Sequence, residues 1–336
     1  MVRVTLADVA RQVGVSSKTV SNVVNGTGWV SDEVRNKVQK AITELGYRPN
    51  LAARQLRMGK SGMVGLALPD LQEPYFAELA ANFVSAAQER KIMVLISQTG
   101  GDLKLEQRLC EGEGMPGLDA LVMSPLSLRP EDLSARKNQT PMVLLGEQAQ
   151  EISNLHISHV GLGNVQAAKA ATEHLIQQGR TKIAALGVQR VGPIASSRYR
   201  MEGYVQALAD AAIALDEDLL CYVDGFSRAE GSDSIQRLID RGAKFDAVFC
   251  FNDSMGFGAL HTLALNGLRV PQDVAVIGFD DTEETLYSVP PLSTIGPGPK
   301  EIARLVLDIV QNLKEEPNVH MALGHTLVTR GSSVVA

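Results

Sequence analysis

Cysteine is scarce in this chain, and long apolar runs are missing. Only Cys110, Cys221 and Cys250 occur among 336 residues. They are odd in number and widely spaced, and two sit inside apolar runs. They read as buried thiols in a reducing compartment, not as disulfides or a zinc site. No apolar stretch reaches the roughly 18 residues that a membrane helix needs, so no membrane is expected among the partners. The start, Met1-Val2-Arg3-Val4-Thr5, lacks the apolar core and small-residue cleavage site of a secretory signal. The expected location is the cytoplasm.

Catalytic signatures are also lacking. Gly256-Phe257-Gly258 opens like a dinucleotide fingerprint, but His261 stands at its third position, inside a helical stretch. Gly161-Leu162-Gly163 leads to Gln166 where the third glycine belongs. Ser254 has Asn252 where a nucleophile elbow needs glycine. His156 and His159 are three apart, with no acid or thiol near them in sequence, and read as ordinary surface or pocket residues rather than metal ligands. No enzyme activity, cofactor or metal is expected.

Charge is present but unevenly placed. Residues 1 to 60 carry ten basic and four acidic side chains, a net of +6. The remaining residues then hold 22 basic and 34 acidic ones, a net of −12, so the whole-chain value of −6 conceals a basic head on an acidic body. Such a head suits a polyanionic partner; a merely solvated face fits the charge count equally well.

The head reads as three helices. Leu6, Val9, Ala10 and Val13 have helical spacing. Thr5 and Asp8 form a capping box before them, and Gly14 stops the run. A short second helix carries Val20, Val23 and Val24 and ends at Asn25-Gly26. A third runs from near Ser31 to Leu45, with Gly46 as its cap. Two short helices joined by a tight turn make a helix-turn-helix, whose second helix enters the major groove. Its outward residues, Ser16, Ser17, Lys18, Thr19, Ser21, Asn22 and Asn25, suit phosphate oxygens and base edges. Ser16 and Asn25 also suit plain capping. Beyond Tyr47-Arg48-Pro49, residues 50 to 57 make about two turns of helix, too short to stand alone in water. Leu56 there suits a minor-groove wedge, and an interdomain linker is the other reading.

From Gly62 onward, short runs rich in Val, Ile and Leu alternate with helical stretches. The runs are Met63 to Leu68, Ile92 to Ser97, Leu121 to Met123, Met142 to Leu145, Ile183 to Gly187, Leu219 to Val223, Ala247 to Phe251 and Val274 to Phe279. The helical stretches include residues 76–90, 165–178, 200–212, 229–241 and 255–266. This is the pattern of parallel sheets covered on both faces, and the strand count calls for two doubly wound lobes. Ligands in such folds sit beyond the carboxyl ends of strands. The polar groups there are Asp70, Ser124, Asn252 and Asp280, with Arg200 after a polar loop. Tyr75, Phe76 and Phe226 add flat faces. Together they suit a small polyhydroxy or heterocyclic ligand, although Asn252 and Asp280 taken singly also suit helix caps.

These segments resemble one family. Val4-Thr5-Leu6-Ala7-Asp8-Val9-Ala10, Gly14-Val15-Ser16, Thr19-Val20-Ser21 and Val23-Val24-Asn25-Gly26 are similar to the lactose-repressor/galactose-repressor family of bacterial regulators. Leu45-Gly46-Tyr47-Arg48-Pro49-Asn50, Ala53-Arg54-Gln55-Leu56-Arg57, Gly278-Phe279-Asp280-Asp281 and Pro290-Pro291-Leu292-Ser293-Thr294-Ile295 continue the likeness. The resemblance implies an all-α helix-turn-helix headpiece (1–48), a hinge helix and linker (49–61), and an α/β core of two lobes like a periplasmic binding protein (62–336). It implies DNA contacts by Leu6, Ser16, Ser17, Lys18, Thr19, Ser21, Asn22 and Asn25, and hinge contacts by Tyr47, Asn50, Ala53, Leu56 and Arg57. It implies an effector pocket lined by Asp70, Tyr75, Phe76, Ser124, Arg200, Phe226, Asn252 and Asp280. The implied partners are a (pseudo)palindromic operator, a small-molecule effector and a second copy of the chain. The expected function is a transcription regulator, a repressor, with a sugar or sugar derivative as effector. A purine-responsive regulator is the alternative, ahead of a solute-binding protein or an enzyme on the same scaffold.

Three departures from the family pattern stand out. Asn22 occupies a position where arginine is common, and asparagine prefers adenine where arginine prefers guanine. Ser17 is smaller than the usual base-reading side chain. Gly296-Pro297-Gly298-Pro299 is a stiff stretch near the pocket rim. No leucine heptad follows Arg330, so a dimer is expected rather than a tetramer.

Overall fold

A computed structural model describes residues 4–47, 60–146, 157–190, 195–313, 315 and 318–334. The chain divides into two compact units, 1–61 and 62–336. The hinge residues Asn50, Ala53, Leu56 and Arg57 lie outside the described residues.

In the first unit, helix α1 (Leu6–Val13) begins at the capping box expected from sequence. The Asp8 amide donates to Thr5 Oγ1 and the Thr5 amide to Asp8 Oδ2 at 2.9 Å. Gly14 closes α1 at φ 73°, a left-handed conformation that glycine adopts without penalty. Helix α2 (Ser17–Asn25) and helix α3 (Asp32–Leu45) follow, and each ends at a left-handed glycine. Val9, Ala10, Val20, Val23, Val38, Ala41 and Tyr47 form the core. Each buried valine contributes about 1.5–3 kcal/mol, so these few residues carry the unit.

The second unit holds two lobes. Lobe one is a parallel sheet in the order β11-β5-β4-β3-β1-β2. Its strands are β1 (Met63–Leu68), β2 (Met93–Gln98), β3 (Ala120–Met123), β4 (Met142–Leu145), β5 (Ser158–Leu162) and β11 (His320–Leu323). The pleat sends Val64, Leu66, Val122 and Val143 to one face. There they pack under helices α4 (Pro74–Glu89) and α11 (Pro299–Asn312). Leu121, Met123, Met142 and Leu144 go to the other face. Helices α5 (Leu103–Cys110) and α6 (Pro130–Ser134) cover that side. A sheet covered on both faces cannot alternate with polar residues, which is why its strands read as continuous apolar runs.

Lobe two is a parallel sheet in the order β7-β6-β8-β9, built from β6 (Ile183–Val188), β7 (Leu220–Tyr222), β8 (Ala247–Cys250) and β9 (Ala275–Ile277). Helices α7 (Asn164–Gln177), α8 (Ala195–Asp210), α9 (Arg228–Asp240) and α10 (Asp253–Leu265) flank it. An antiparallel pair, β10 (Thr294–Gly296) and β12 (Thr326–Val328), completes it. The chain passes between lobes three times: after β5, after β10 and after β11. Gly258, read above as part of a failed dinucleotide motif, is a helix-crossing residue. A Cβ there would overlap the Arg228 carbonyl oxygen and lie 2.7 Å from the Ser232 amide nitrogen. Gly231 meets Met255 in the same way from the opposite helix.

The Cys110, Cys221 and Cys250 thiols are free and buried. Among the described residues, no helix is long and apolar enough to cross a membrane, and no cluster of metal-ligating side chains occurs.

Candidate functional site

A cavity of about 220 Å³ lies between the two lobes, at the carboxyl ends of strands from both sheets. Tyr75, Phe76, Ser124, Arg200, Phe226, Asn252 and Asp280 all line it. Tyr75 and Phe76 come from the first turn of α4, ring edge to ring face at 5.1 Å. Ser124 follows β3. Its loop is held by the buried Glu106 carboxylate, which accepts from the Leu126, Ser127 and Leu128 amides at 2.9, 3.0 and 2.9 Å. Phe226 sits in a loop whose Asp224 and Gly225 amides donate to Glu230.

Asp70 follows β1 as expected but, contrary to the sequence reading, stands outside the cavity lining. Its carboxylate accepts from the Gln72 amide at 2.9 Å, closing a local turn.

Arg200 is the central cation and is buried. Its Nε donates to Asn164 Oδ1 at 2.7 Å, and its Nη1 donates to the Phe251 carbonyl. Its Nη2 stands 3.7 Å from Asp280 Oδ1, and the guanidinium lies 3.6 Å from the centre of the Phe279 ring. Asp280 holds φ 115°, a conformation that favours glycine, so its carboxyl is placed at a cost in backbone strain. Burial pushes that carboxyl well above the usual carboxylate range. Arg200 opposes the rise, while Asp253, Glu73 and Glu78 add to it.

Asn252 stands both at a helix cap and at the cavity wall. It caps α10, its Oδ1 accepting from the Met255 amide at 2.9 Å, and it also lines the cavity. Its Nδ2 donates to the Phe226 carbonyl at 3.0 Å.

Glu73 and Asn164 are cavity residues that sequence reasoning missed. Glu73 Oε1 accepts from Ser254 Oγ at 2.7 Å, joining lobe one to lobe two. Burial raises its carboxyl. His159 also lines the cavity, bonded through Nε2 to the Gly146 carbonyl at 2.5 Å, and burial lowers its basicity. His156 lies outside the described residues.

Beneath the cavity, Asp253 is fully buried. It accepts from Thr294 Oγ1 at 2.6 Å and from the Thr282 amide at 2.9 Å. Burial outweighs these bonds and pushes its carboxyl up to about 7. The native state therefore holds this proton more tightly than the unfolded chain. Stability should fall as pH rises from the ordinary aspartate range near 4 towards 7, by about 4 kcal/mol at the most. Asp253→Asn should flatten that fall, since an amide keeps an acceptor for Thr282 and offers a donor to Thr294. Denaturant unfolding at pH 5 and pH 8 measures this. A pH dependence identical in the two proteins would refute it.

In the first unit, the α2 residues hold the expected surface. Ser17, Lys18 and Asn25 are exposed, and Thr19, Ser21 and Asn22 are half-buried. Ser16 is the N-cap, accepting from the Thr19 amide at 3.1 Å. The Asn25 amide donates to the Ser21 carbonyl at 2.8 Å. Leu6 packs against the core and Tyr47 is buried within it, so little of the Tyr47 ring is open to a phosphate.

Comparison with known proteins agrees with this arrangement. Residues 5–50 match the family model of bacterial regulatory proteins, lacI family, and residues 172–333 match that of a periplasmic binding protein-like domain. The ribose operon repressor of Haemophilus influenzae is 32% identical over 98% of this chain and 98% of its own length. The transcriptional repressor CytR of Escherichia coli is 33% identical over 91% and 90%. Among solved structures, the lac repressor dimer bound to operator and an anti-inducer has a TM-score of 0.85 at 27% identity. It covers 99% of this chain and all of that one. The regulator CelR in complex with cellobiose gives 0.65 at 30% identity, over 98% and 100%. With its helix-turn-helix headpiece and its core of two parallel-sheet lobes, this chain belongs to the lacI family of bacterial transcription regulators.

Proposed function

We propose that this regulator is a homodimeric repressor. It binds a (pseudo)palindromic operator through Ser16, Ser17, Lys18, Thr19, Ser21, Asn22 and Asn25, with Leu6, Tyr47, Asn50, Ala53, Leu56 and Arg57 supporting the docking. A neutral monosaccharide bound between the lobes controls it. The observation that carries the effector assignment is the cavity itself. At about 220 Å³ it is large enough for a small polyhydroxylated molecule. Arg200, Asp280, Asn252 and Ser124 offer donors and acceptors for hydroxyls, and Phe76, Tyr75 and Phe226 offer faces for the apolar side of a ring. The related regulator CelR is solved in complex with cellobiose, which supports a carbohydrate.

The lining charges narrow the class. Glu73, Asp280 and Arg200 line the cavity, and that arginine is already engaged by the protein. This favours an uncharged sugar over a sugar phosphate. A thermal-shift panel tests the reading: a neutral pentose or hexose near 100 times its Kd should raise the melting point by about 5 °C or more. Stabilisation by nucleosides or phosphorylated sugars, with none by neutral sugars, would overturn it. Support for the dimer comes from the apolar patch Leu286, Tyr287 and Val289. It is well exposed in the single chain and demands a cover.

A further inference from the structure

Trp29 is the only tryptophan in the chain, and it is 89% exposed. So large an apolar side chain is stabilised when a partner covers it. The loop that carries it is tightly built. Gly26 ends α2 in a left-handed conformation, and the Thr27 amide returns to the Asn22 carbonyl at 3.0 Å. Gly28 is also left-handed, at φ 71°, and a Cβ there would stand 2.8 Å from Asn22 Nδ2. The left-handed φ favours glycine here, and the loop lies against the Asn22 side chain. On the other side, Val30 packs against the headpiece core. Trp29 is thus held outward between two fixed neighbours, next to a residue of the proposed DNA-reading surface.

We infer that Trp29 is a further DNA-contacting residue, which lays its indole against the sugar-phosphate backbone beside the site read by Asn22. Two observations select DNA over a protein occupant. Residues 1 to 60 carry a net charge of +6, complementary to a polyanion. The patch also adjoins the outward face of α2 through the Gly28–Asn22 approach. The indole N–H is a donor without acceptor capacity, which suits a phosphate oxygen, and the ring covers the apolar edge of deoxyribose. The contact has a distinctive signature. An indole releases no counterion, so its loss should weaken binding without changing the dependence on salt. Loss of a lysine or arginine contact changes both.

This inference rests on the DNA-binding reading of the headpiece, and one experiment separates their failures. The full-length chain is titrated with a mixed-sequence duplex at low ionic strength, and saturation is followed by gel shift. The single tryptophan then reports on itself. Its emission should move to shorter wavelength, and acrylamide should quench it several-fold less once DNA is bound. Trp29→Ala should bind roughly five- to tenfold more weakly, with an unchanged slope of log affinity against log salt, and Trp29→Phe should retain part of the loss. Quenching that stays the same at saturation, or a Trp29→Ala variant of wild-type affinity, would overturn the contact. So would tryptophan protection that grows with protein concentration without DNA, which would assign the residue to self-association. If the wild type shifts no duplex at all, the DNA-binding reading itself falls and takes this inference with it.

Discussion

Arg200→Met should leave a body that still folds but is less stable by about 3 kcal/mol, and a protein whose DNA binding no longer responds to sugar. The stability loss follows from removing one partner of a buried charge pair, which costs about 3–5 kcal/mol when the other charge stays uncompensated. The lower end applies here, because methionine fills most of the volume and Asp280 already tends to hold its proton. The sign of the pH effect follows. Without Arg200, ionising Asp280 becomes harder still, so the variant should lose more stability at pH 8 than at pH 6. The loss of response follows from position: Arg200 joins Asn164 at the start of α7, the Phe251 carbonyl after β8 and Asp280 after β9. Three strand-end loops lose their common tie. Urea unfolding at the two pH values and gel shifts with and without the stabilising sugar measure both parts. Wild-type stability with an intact response would refute the assignment.

Gly258→Ala should destabilise the protein by about 3 kcal/mol, near the upper end of overpacking costs. The sign is the notable part, because glycine to alanine inside an exposed helix gains about 1 kcal/mol. Here α9 and α10 cross so closely that the added methyl would overlap the Arg228 carbonyl, and no rotamer relieves a Cβ that meets backbone. The melting point should drop by roughly 5 °C. Gly231→Ala, on the facing helix, should behave alike. Stabilisation in either variant would mean that the helices stand further apart than described.

The strands that could be read from sequence were those buried on both faces. Met63–Leu68 and Met142–Leu145 agree with their apolar runs to the residue. Ser158–Leu162 escaped because it carries Ser158, His159 and Gly161 where an apolar run would show. β10 and β12 are three residues each, too short for periodicity. α11 was hidden behind Gly296-Pro297-Gly298-Pro299, which reads as a break. In fact Pro299 opens the helix, where its missing N–H costs nothing. The spacing of Ile302, Val306 and Ile309 was the available signal. In the cavity, polar residues directly after strands were legible because a doubly wound fold must place such positions together. Glu73 was not, since its partner Ser254 is 181 residues away. Asp70 shows the limit of the strand-end rule: the rule gives the end of the sheet, but the carboxylate there closes a local turn.

The three passages between lobes set an order of assembly during synthesis. The edge strand β11 of lobe one comes from residues 320–323, and β12 of lobe two from residues 326–328. The six-stranded sheet of lobe one and the small β10–β12 sheet of lobe two cannot be completed until almost the whole chain has left the ribosome. The helix-turn-helix is under no such restriction: its three helices and its whole core lie within the first 47 residues. A nascent chain therefore presents a finished headpiece while both lobes still expose open sheet edges, surfaces prone to mispairing. An early stop or a frameshift after residue 61 and before residue 320 would yield a folded headpiece without a completed sensor. Such a product would keep the surface that meets DNA and lose the part that answers to the effector.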